Sequence, residues 1–361
     1  MSGTLQASYI KDGSSSSNNI ALDSSGNVAV AGNLNVGGNF ASPFNGTFRN
    51  RIINGDMKID QRTSGSGIIL TTSLAYNMDR WVGYVTSSTS TVTLQRIATG
   101  LTDFPYAARI ARGSGTYTGA AVLTQVIESV NCQDLAGQTA TMSFYVRKGS
   151  AFSCAQFWCQ VLLGSGVDQG IAGGVAGSWT NWAGPVSFIT SGSSLNAAFT
   201  RYSAQVSIPA GTNEIGLYFV CSAFSGTGSS ADYIDITGVQ LEAGPLATAF
   251  ERRPYGVELA LCQRYYNRFN YSEGFGEFYW EGTALSGVTT YGNLQRKHPV
   301  TMRAAPTFSA SGATLTAIAT SASGSYTTPN YHYTQVTNSN GANTRAAYYI
   351  QSGYLDWSAE L

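Results

Sequence analysis

The chain has 361 residues, with 20 basic and 20 acidic side chains, and only 11% of its residues are charged against roughly 25% in average globular proteins. Balanced charge leaves no net field to attract nucleic acid or an anionic membrane. No run approaches the ~18 apolar residues that would cross a bilayer. The start, MSGTLQASYIKDGSSSS, lacks the apolar core of a secretory signal, so synthesis in a cytoplasm is expected.

Glycine (41) and tyrosine (21) are plentiful, and Ser, Thr and Asn fill most polar positions. Such a polar, nearly uncharged surface suits an all-β protein that faces neutral ligands. The five cysteines are Cys132, Cys154, Cys159, Cys221 and Cys262. An odd number without a signal sequence argues against a disulfide framework. They read as reduced thiols packed as small hydrophobes.

Residues 1–47 are low in complexity, and Ile20–Leu22, Val28–Val30 and Leu34–Val36 mark short strands between Ser/Gly turns. Strands this thin bury little core in one chain, so the segment reads as an attachment or oligomerisation element. Residues 48–253 carry runs of strand length: Ile68–Leu70, Thr91–Ile97, Ala107–Arg112, Ala121–Ile127, Thr139–Arg147, Ala155–Leu163, Phe199–Ile208, Glu214–Cys221 and Tyr233–Glu242. With few helical candidates, they predict an antiparallel jelly-roll sandwich. Loops rich in Gly, Ser or Thr fall at 113–120, 164–196 and 222–231.

Pro254 suits a first helical position. Val257, Leu261, Cys262, Tyr265 and Phe269 then recur at helical spacing, which predicts a connecting helix within 254–275. Residues 276–361 return to strands, at Glu277–Glu281, Thr307–Ser309, Thr314–Ile318, His332–Val336 and Arg345–Gln351, and read as a small C-terminal β domain. The apolar face Leu261, Cys262, Tyr265 and Phe269 is a candidate oligomer interface joining the two regions.

NRIINGDMKIDQR at 50–62 with YNMDRW at 76–81, and ITGVQLEAGPLATAFERRPYGVELALCQRYY at 236–266, together resemble bacteriophage tail fibre and tail receptor-binding proteins. The jelly-roll domain of those proteins is related in shape to carbohydrate-binding modules. The later KHPVTMRAAPTF and DWSAEL fit the same group. The resemblance implies a homotrimeric virion protein of the tail, made in a host bacterium. It would attach to other tail or baseplate proteins through its N-terminal end and meet host polysaccharide or lipopolysaccharide. It marks the Gly55 turn, Trp81 and the Arg252-Arg253-Pro254 corner as structural, and supplies no binding residues. Two other readings are a head or baseplate decoration protein and a polysaccharide-degrading tail spike.

The residues themselves favour binding over catalysis. His298 and His332 are the only histidines, no HExxH, paired CxxC or P-loop pattern occurs, and His298 reads as an edge residue. Carboxylate pairs for glycoside cleavage would be Asp232 with Asp235, Glu273 with Glu277, or Glu277 with Glu281; no β-helix period accompanies them. No cofactor is expected beyond a structural Ca²⁺, for which Asp56 and Asp235 are the candidate oxygen ligands. Glycan binding needs an exposed flat ring beside amides or hydroxyls. Trp179, Asn181 and Trp182 in the glycine-rich loop are the candidate platform, whereas Trp81 and Trp158 read as core. Trp280 and Trp357, with Tyr279, Tyr331, Tyr333 and Tyr354, would instead form a distal aromatic surface, much of it trimer interface.

Overall fold

The computed structural model describes residues 9–10, 13, 20–22, 28–30 and 48–361, apart from 88–90, 118, 185, 271–279, 285–290, 312–314, 318–319, 339–343 and 351–353. The chain divides into two compact units, residues 1–45 and 46–361. In the first, β1 (Tyr9–Ile10), β2 (Ile20–Leu22) and β3 (Val28–Val30) form one antiparallel sheet in that order. Ile20 faces Val30 and Leu22 faces Val28. Leu34–Val36 lies outside the described residues.

The second unit opens with β4 (Ile68–Ile69), β5 (Ala75–Tyr76), β6 (Val82–Val85), β7 (Val92–Ala98), β8 (Tyr106–Arg112) and β9 (Ala121–Ile127). β10 (Thr139–Lys148), β11 (Cys154–Gly164), β12 (Val186–Ser191), β13 (Thr200–Ser207), β14 (Glu214–Phe224) and β15 (Tyr233–Ala243) follow. One six-stranded sheet runs β13-β10-β15-β8-β7-β4 and the other β12-β11-β14-β9-β6-β5. From β8 to β11, and again from β12 to β15, each strand lies in the opposite sheet from the one before. That crossing pattern gives the sandwich its jelly-roll character, and the all-β class follows the strand-sized runs of the sequence.

Alternation along each strand builds the core. Ala140, Met142, Phe144 and Val146 of β10 point inward toward Phe157, Cys159, Val161 and Leu163 of β11 and Ile215, Leu217, Phe219 and Cys221 of β14. Each fully buried side chain of this size contributes roughly 1.5–3 kcal/mol. Trp81 is fully buried, its ring 6.3 Å from Phe219, and its indole N–H donates to the Asn54 carbonyl at 2.9 Å. All five cysteines are free and buried.

The opening and closing stretches of the sandwich touch each other. Val239 N–H donates to Gly55 O at 2.9 Å and Arg51 N–H to Leu241 O at 2.9 Å. Asn50 closes the seam, its Nδ2 donating to Val239 O at 3.1 Å and its Oδ1 accepting from Leu241 N–H at 3.1 Å. Asn54, with φ +58°, turns the chain here. A Cβ on Gly55 would run into the Val239 carbonyl. Arg253 is buried beside this seam and donates to the carbonyls of Asn50 and Ile52.

A short helix, α1 (Ile171–Val175), interrupts the loop between β11 and β12. The predicted connecting helix is α2 (Tyr255–Gln263), starting after Pro254. Its buried Glu258 accepts from the Asn54 backbone N–H and from Arg253. Beyond it come β16 (Tyr266–Asn270), β17 (Trp280–Ala284), β18 (Tyr291–Lys297), β19 (Thr307–Ser311), β20 (Leu315–Ala317), β21 (Thr320–Thr327), β22 (Tyr331–Asn338), β23 (Thr344–Ile350) and β24 (Tyr354–Ser358). They form three three-stranded sheets, β16-β24-β19, β17-β23-β20 and β18-β22-β21.

Helix and C-terminal strands cluster in one unit with the sandwich, and two residues of the candidate oligomer face are already covered within it. Cys262 and Tyr265 are fully buried within the single chain, against Ile53 and Ile59 of the opening stretch. The Tyr265 hydroxyl, pushed up to about 12 chiefly by burial, donates to Glu128 at 2.9 Å. Leu261 packs at the edge of the same cluster, and the Phe269 ring lies 4.1 Å from the Arg296 guanidinium. Leu261 and Cys262 of α2 thus turn toward the apolar surface left by Ile53 and Ile59, whereas Tyr265 follows the helix and Phe269 lies on β16.

Candidate functional site

Two of the three loop candidates are built for exposure and one is not. Trp179 is buried, 3% exposed, and packs with Ile171, Leu162, Val126 and Val82 against the outer face of the second sheet. Its indole N–H donates to Gly170 O at 3.0 Å. The glycines around it make room: a Cβ would lie 3.1 Å from the indole at Gly173, 2.7 Å at Gly174 and 3.1 Å from the Trp179 Cβ at Gly164. The GGVAGS run therefore exists to seat a ring, and Trp179 pins the loop rather than offering a platform.

Trp182 is 41% exposed. Its N–H donates to Gly174 O at 3.0 Å, which fixes the indole. Asn181 takes the left-handed conformation, φ +50°, and its Nδ2 donates to Ser165 Oγ at 2.8 Å. Leu163 and Ala183 exchange backbone hydrogen bonds at 2.7 and 2.9 Å, so the loop returns as an added rung beside β11. A cleft of about 220 Å³ opens there, lined by Leu163, Ser165, Asn181, Ala183, Pro209 and Thr212 among others.

The outer face of the second sheet continues from this loop. Phe157 and Cys159 point into the core, so Gln156, Trp158 and Gln160 point out. Trp158, which the sequence assigned to the core, is only part-buried. It sits opposite Ile189 on β12, which is 60% exposed, and Val220 on β14. Gln160 lies opposite Tyr218 and donates to Gly184 O at 3.2 Å. Gly184 in turn borders the Trp182 ring, where a Cβ would come within 2.9 Å. Tyr218 and Tyr84 share a hydrogen bond between their hydroxyls at 2.6 Å. Burial raises both phenols above their usual range, with the shared bond adding to this at Tyr84 and opposing it at Tyr218, so they stay protonated and polar. Tyr84, Tyr218, Gln160 and Gly184 are thus connected in series across the outer face, with Trp158 two residues from Gln160 on β11. Period-two alternation places Trp158 beside two glutamines, and that was the signal in the sequence that could have found it.

Asp56 and Asp235, the candidate metal ligands, are each already paired with basic side chains. Asp56 pairs with Lys58 at 2.8 Å. Asp235 is fully buried and held by Arg109 and Arg147, each at 2.7 Å. Cations already neutralise both carboxylates, and among the described residues no group of three or more His, Cys, Asp or Glu side chains converges. Asp232 is likewise committed, to Arg112 at 3.0 Å and to Ser153. Glu273 and Glu277 lie outside the described residues.

His298 and His332 are both buried, so His298 is not the edge residue expected. Their rings pack against Trp357 at 5.5 and 5.4 Å. Desolvation pushes His332 down to about 4 and lowers His298 as well, so both imidazoles are neutral at pH 7. Trp357, expected on a distal surface, is itself fully buried.

The described fold is a β-sandwich with an aromatic and amide-bearing outer face. No family model matches the chain, and no curated protein matches it. Among solved structures it is similar to the enzymatically active domain of tailspike protein 4 of bacteriophage CBA120, with TM-score 0.34 and 15% identity over 54% of this chain and 22% of that one. It is also similar to the CBM22-2 xylan-binding domain of Paenibacillus barcinonensis, with TM-score 0.31 and 13% identity over 46% and 94% of the two chains. The C-terminal family 22 carbohydrate-binding module of Clostridium thermocellum gives TM-score 0.31 and 12% identity over 47% and 89%.

Proposed function

We propose that this chain is a non-catalytic attachment protein of a bacteriophage tail that binds neutral host-surface glycan on the outer face of the second sheet. The observation that carries the binding reading is part-buried Trp158, flanked on its own strand by Gln156 and by Gln160, whose amide bonds Gly184 beside exposed Trp182. Sugar C–H faces stack on such rings, and amides satisfy the hydroxyls around them. The virion assignment rests on the resemblance of the opening and closing stretches to tail fibre proteins. Both histidines are buried among aromatics, and Asp232 and Asp235 are tied to arginines, which supports binding without cleavage.

In this reading the N-terminal sheet attaches the protein to the particle and three copies act together. Linked weak sites gain ~10²–10⁴ in effective affinity. The test is titration of the purified protein with neutral oligosaccharides from host surface polysaccharide, followed by tryptophan fluorescence. Saturable quenching that is lost in Trp158→Ala supports the reading, and release of reducing sugar overturns its non-catalytic part. Labelled antibody bound to heads rather than tails on intact particles would favour the decoration protein instead.

A further inference from the structure

The opposite face of the sandwich carries a second constellation, unrelated to the tryptophan strip. Arg109 on β8, Asp235 on β15 and Arg147 on β10 stand in one cross-strand row, since Asp235 is the register partner of both arginines. Ile234 and Ile236 on either side of Asp235 point into the core, so the row projects outward. Asp235 is fully buried beneath the two guanidiniums, whose side chains remain 25% and 24% exposed.

The hydrogen bonds determine which edge of each guanidinium is left over. Arg109 uses Nε and Nη2 on the two oxygens of Asp235, at 2.7 and 2.8 Å. Arg147 uses Nε alone, at 2.7 Å. Both Nη atoms of Arg147 are engaged by no described protein acceptor. Two positive charges against one carboxylate leave a net charge of +1 on the row. Each guanidinium is also held flat by a ring, Arg109 at 3.6 Å from the Tyr233 centroid and Arg147 at 4.6 Å from that of Phe199. Tyr233 itself is backed by Gly149, where a Cβ would come 2.7 Å from the ring.

A buried carboxylate would be neutralised by one arginine. The second adds charge and an unused two-donor edge at the surface, already ordered by stacking. Less side-chain entropy is then lost on binding. Planar, paired donors of this kind match the oxygens of a carboxylate or a phosphate.

We propose that Arg147 and Arg109 form a second ligand site, specific for a glycan bearing an oxyanion, on the face of the first sheet. The neutral-sugar face and this face then read different parts of a surface polysaccharide.

The test is calorimetric titration of the whole chain with three probes: oligogalacturonate for a carboxylate source, mannose 6-phosphate for a phosphate source, and a neutral oligosaccharide as control. Saturable binding of one acidic probe, weakening as salt is raised, is expected. Arg147→Gln should weaken it about tenfold, while Asp235 keeps its two-point bond to Arg109. Trp158→Ala should leave it unchanged, so this site and the neutral-glycan site succeed or fail separately. Should Arg147→Gln lose its near-ultraviolet dichroism, Arg147→Lys takes its place, keeping the charge but not the paired donors. A severalfold loss is then expected. Equal affinity in wild type and the folded variant overturns the proposal, as does the absence of saturable binding to both acidic probes.

Discussion

The guanidinium of Arg80 lies 3.6 Å from the centre of the Tyr265 ring, joining the entry to the sandwich to the turn after helix α2. Arg80 is 2% exposed. It also pairs with Glu360 and donates to Val126 O. Removing one partner of a buried pair leaves a charge uncompensated, at roughly 3–5 kcal/mol. Glu360→Gln is therefore expected to lower unfolding free energy by about that amount. Glu360 also bonds Arg62 at 2.8 Å, so Arg80→Met with Glu360→Leu should recover only part of that loss. Urea denaturation of the three proteins measures the difference.

Asp79 gives a pH dependence of defined sign. Burial pushes its carboxyl up to about 6, against the opposing pull of Arg62 and Gln61. The folded state then holds the proton more tightly than the unfolded chain, whose Asp titrates near ~3.9. Stability from this group is present at low pH and is lost as pH rises from about 4 through about 6. His332, pushed down to about 4, works oppositely and removes stability as pH falls below about 6.5. Asp79→Asn should abolish the first trend and retain the second. Denaturation midpoints of wild type and variant near pH 4 and near pH 7 would show this; parallel curves would contradict it.

Gly55→Ala tests the seam. The new methyl would press on the Val239 carbonyl, and overpacking of this kind costs typically ~1–3 kcal/mol. A loss smaller than that in thermal or chemical unfolding would mean the two stretches separate more easily than their hydrogen bonds indicate.

The two loop tryptophans should respond in opposite ways. Trp179→Ala removes a buried ring and is expected to destabilise by roughly 3–5 kcal/mol. Trp182→Ala should leave the unfolding midpoint nearly unchanged while weakening neutral-glycan binding severalfold. Paired stability and titration measurements on both variants separate pin from platform.

Much of this architecture was legible because strand periodicity survives in most of the chain. The run Tyr233–Glu242 became β15 at Tyr233–Ala243, and Glu214–Cys221 became β14. What escaped had a physical reason. VSFITS at 186–191 lies inside a glycine-rich stretch that reads as loop, yet it pairs with β11 as an edge strand. Asp235 looked like a free carboxylate because its two arginines come from strands 126 and 88 residues away. The apolar face of α2 was visible, but nothing local could say that Ile53 and Ile59 would meet it. Trp179 and Trp182 share a loop and a residue type, and only packing distinguishes them.

β24 is the central strand of its sheet, with Tyr354–Ser358 paired to β16 on one side and β19 on the other. On a ribosome, β16 and β19 emerge well before the strand that must lie between them. They spend that interval as unpaired edges, with an open slot where Trp357 will sit. Slow closure over such separations is the ordinary cost of non-local pairing, and exposed edges invite other chains. Nascent chains of the same kind are among those neighbours. Pausing or truncation short of residue 354 would thus favour misassembly between copies over a stable partial fold.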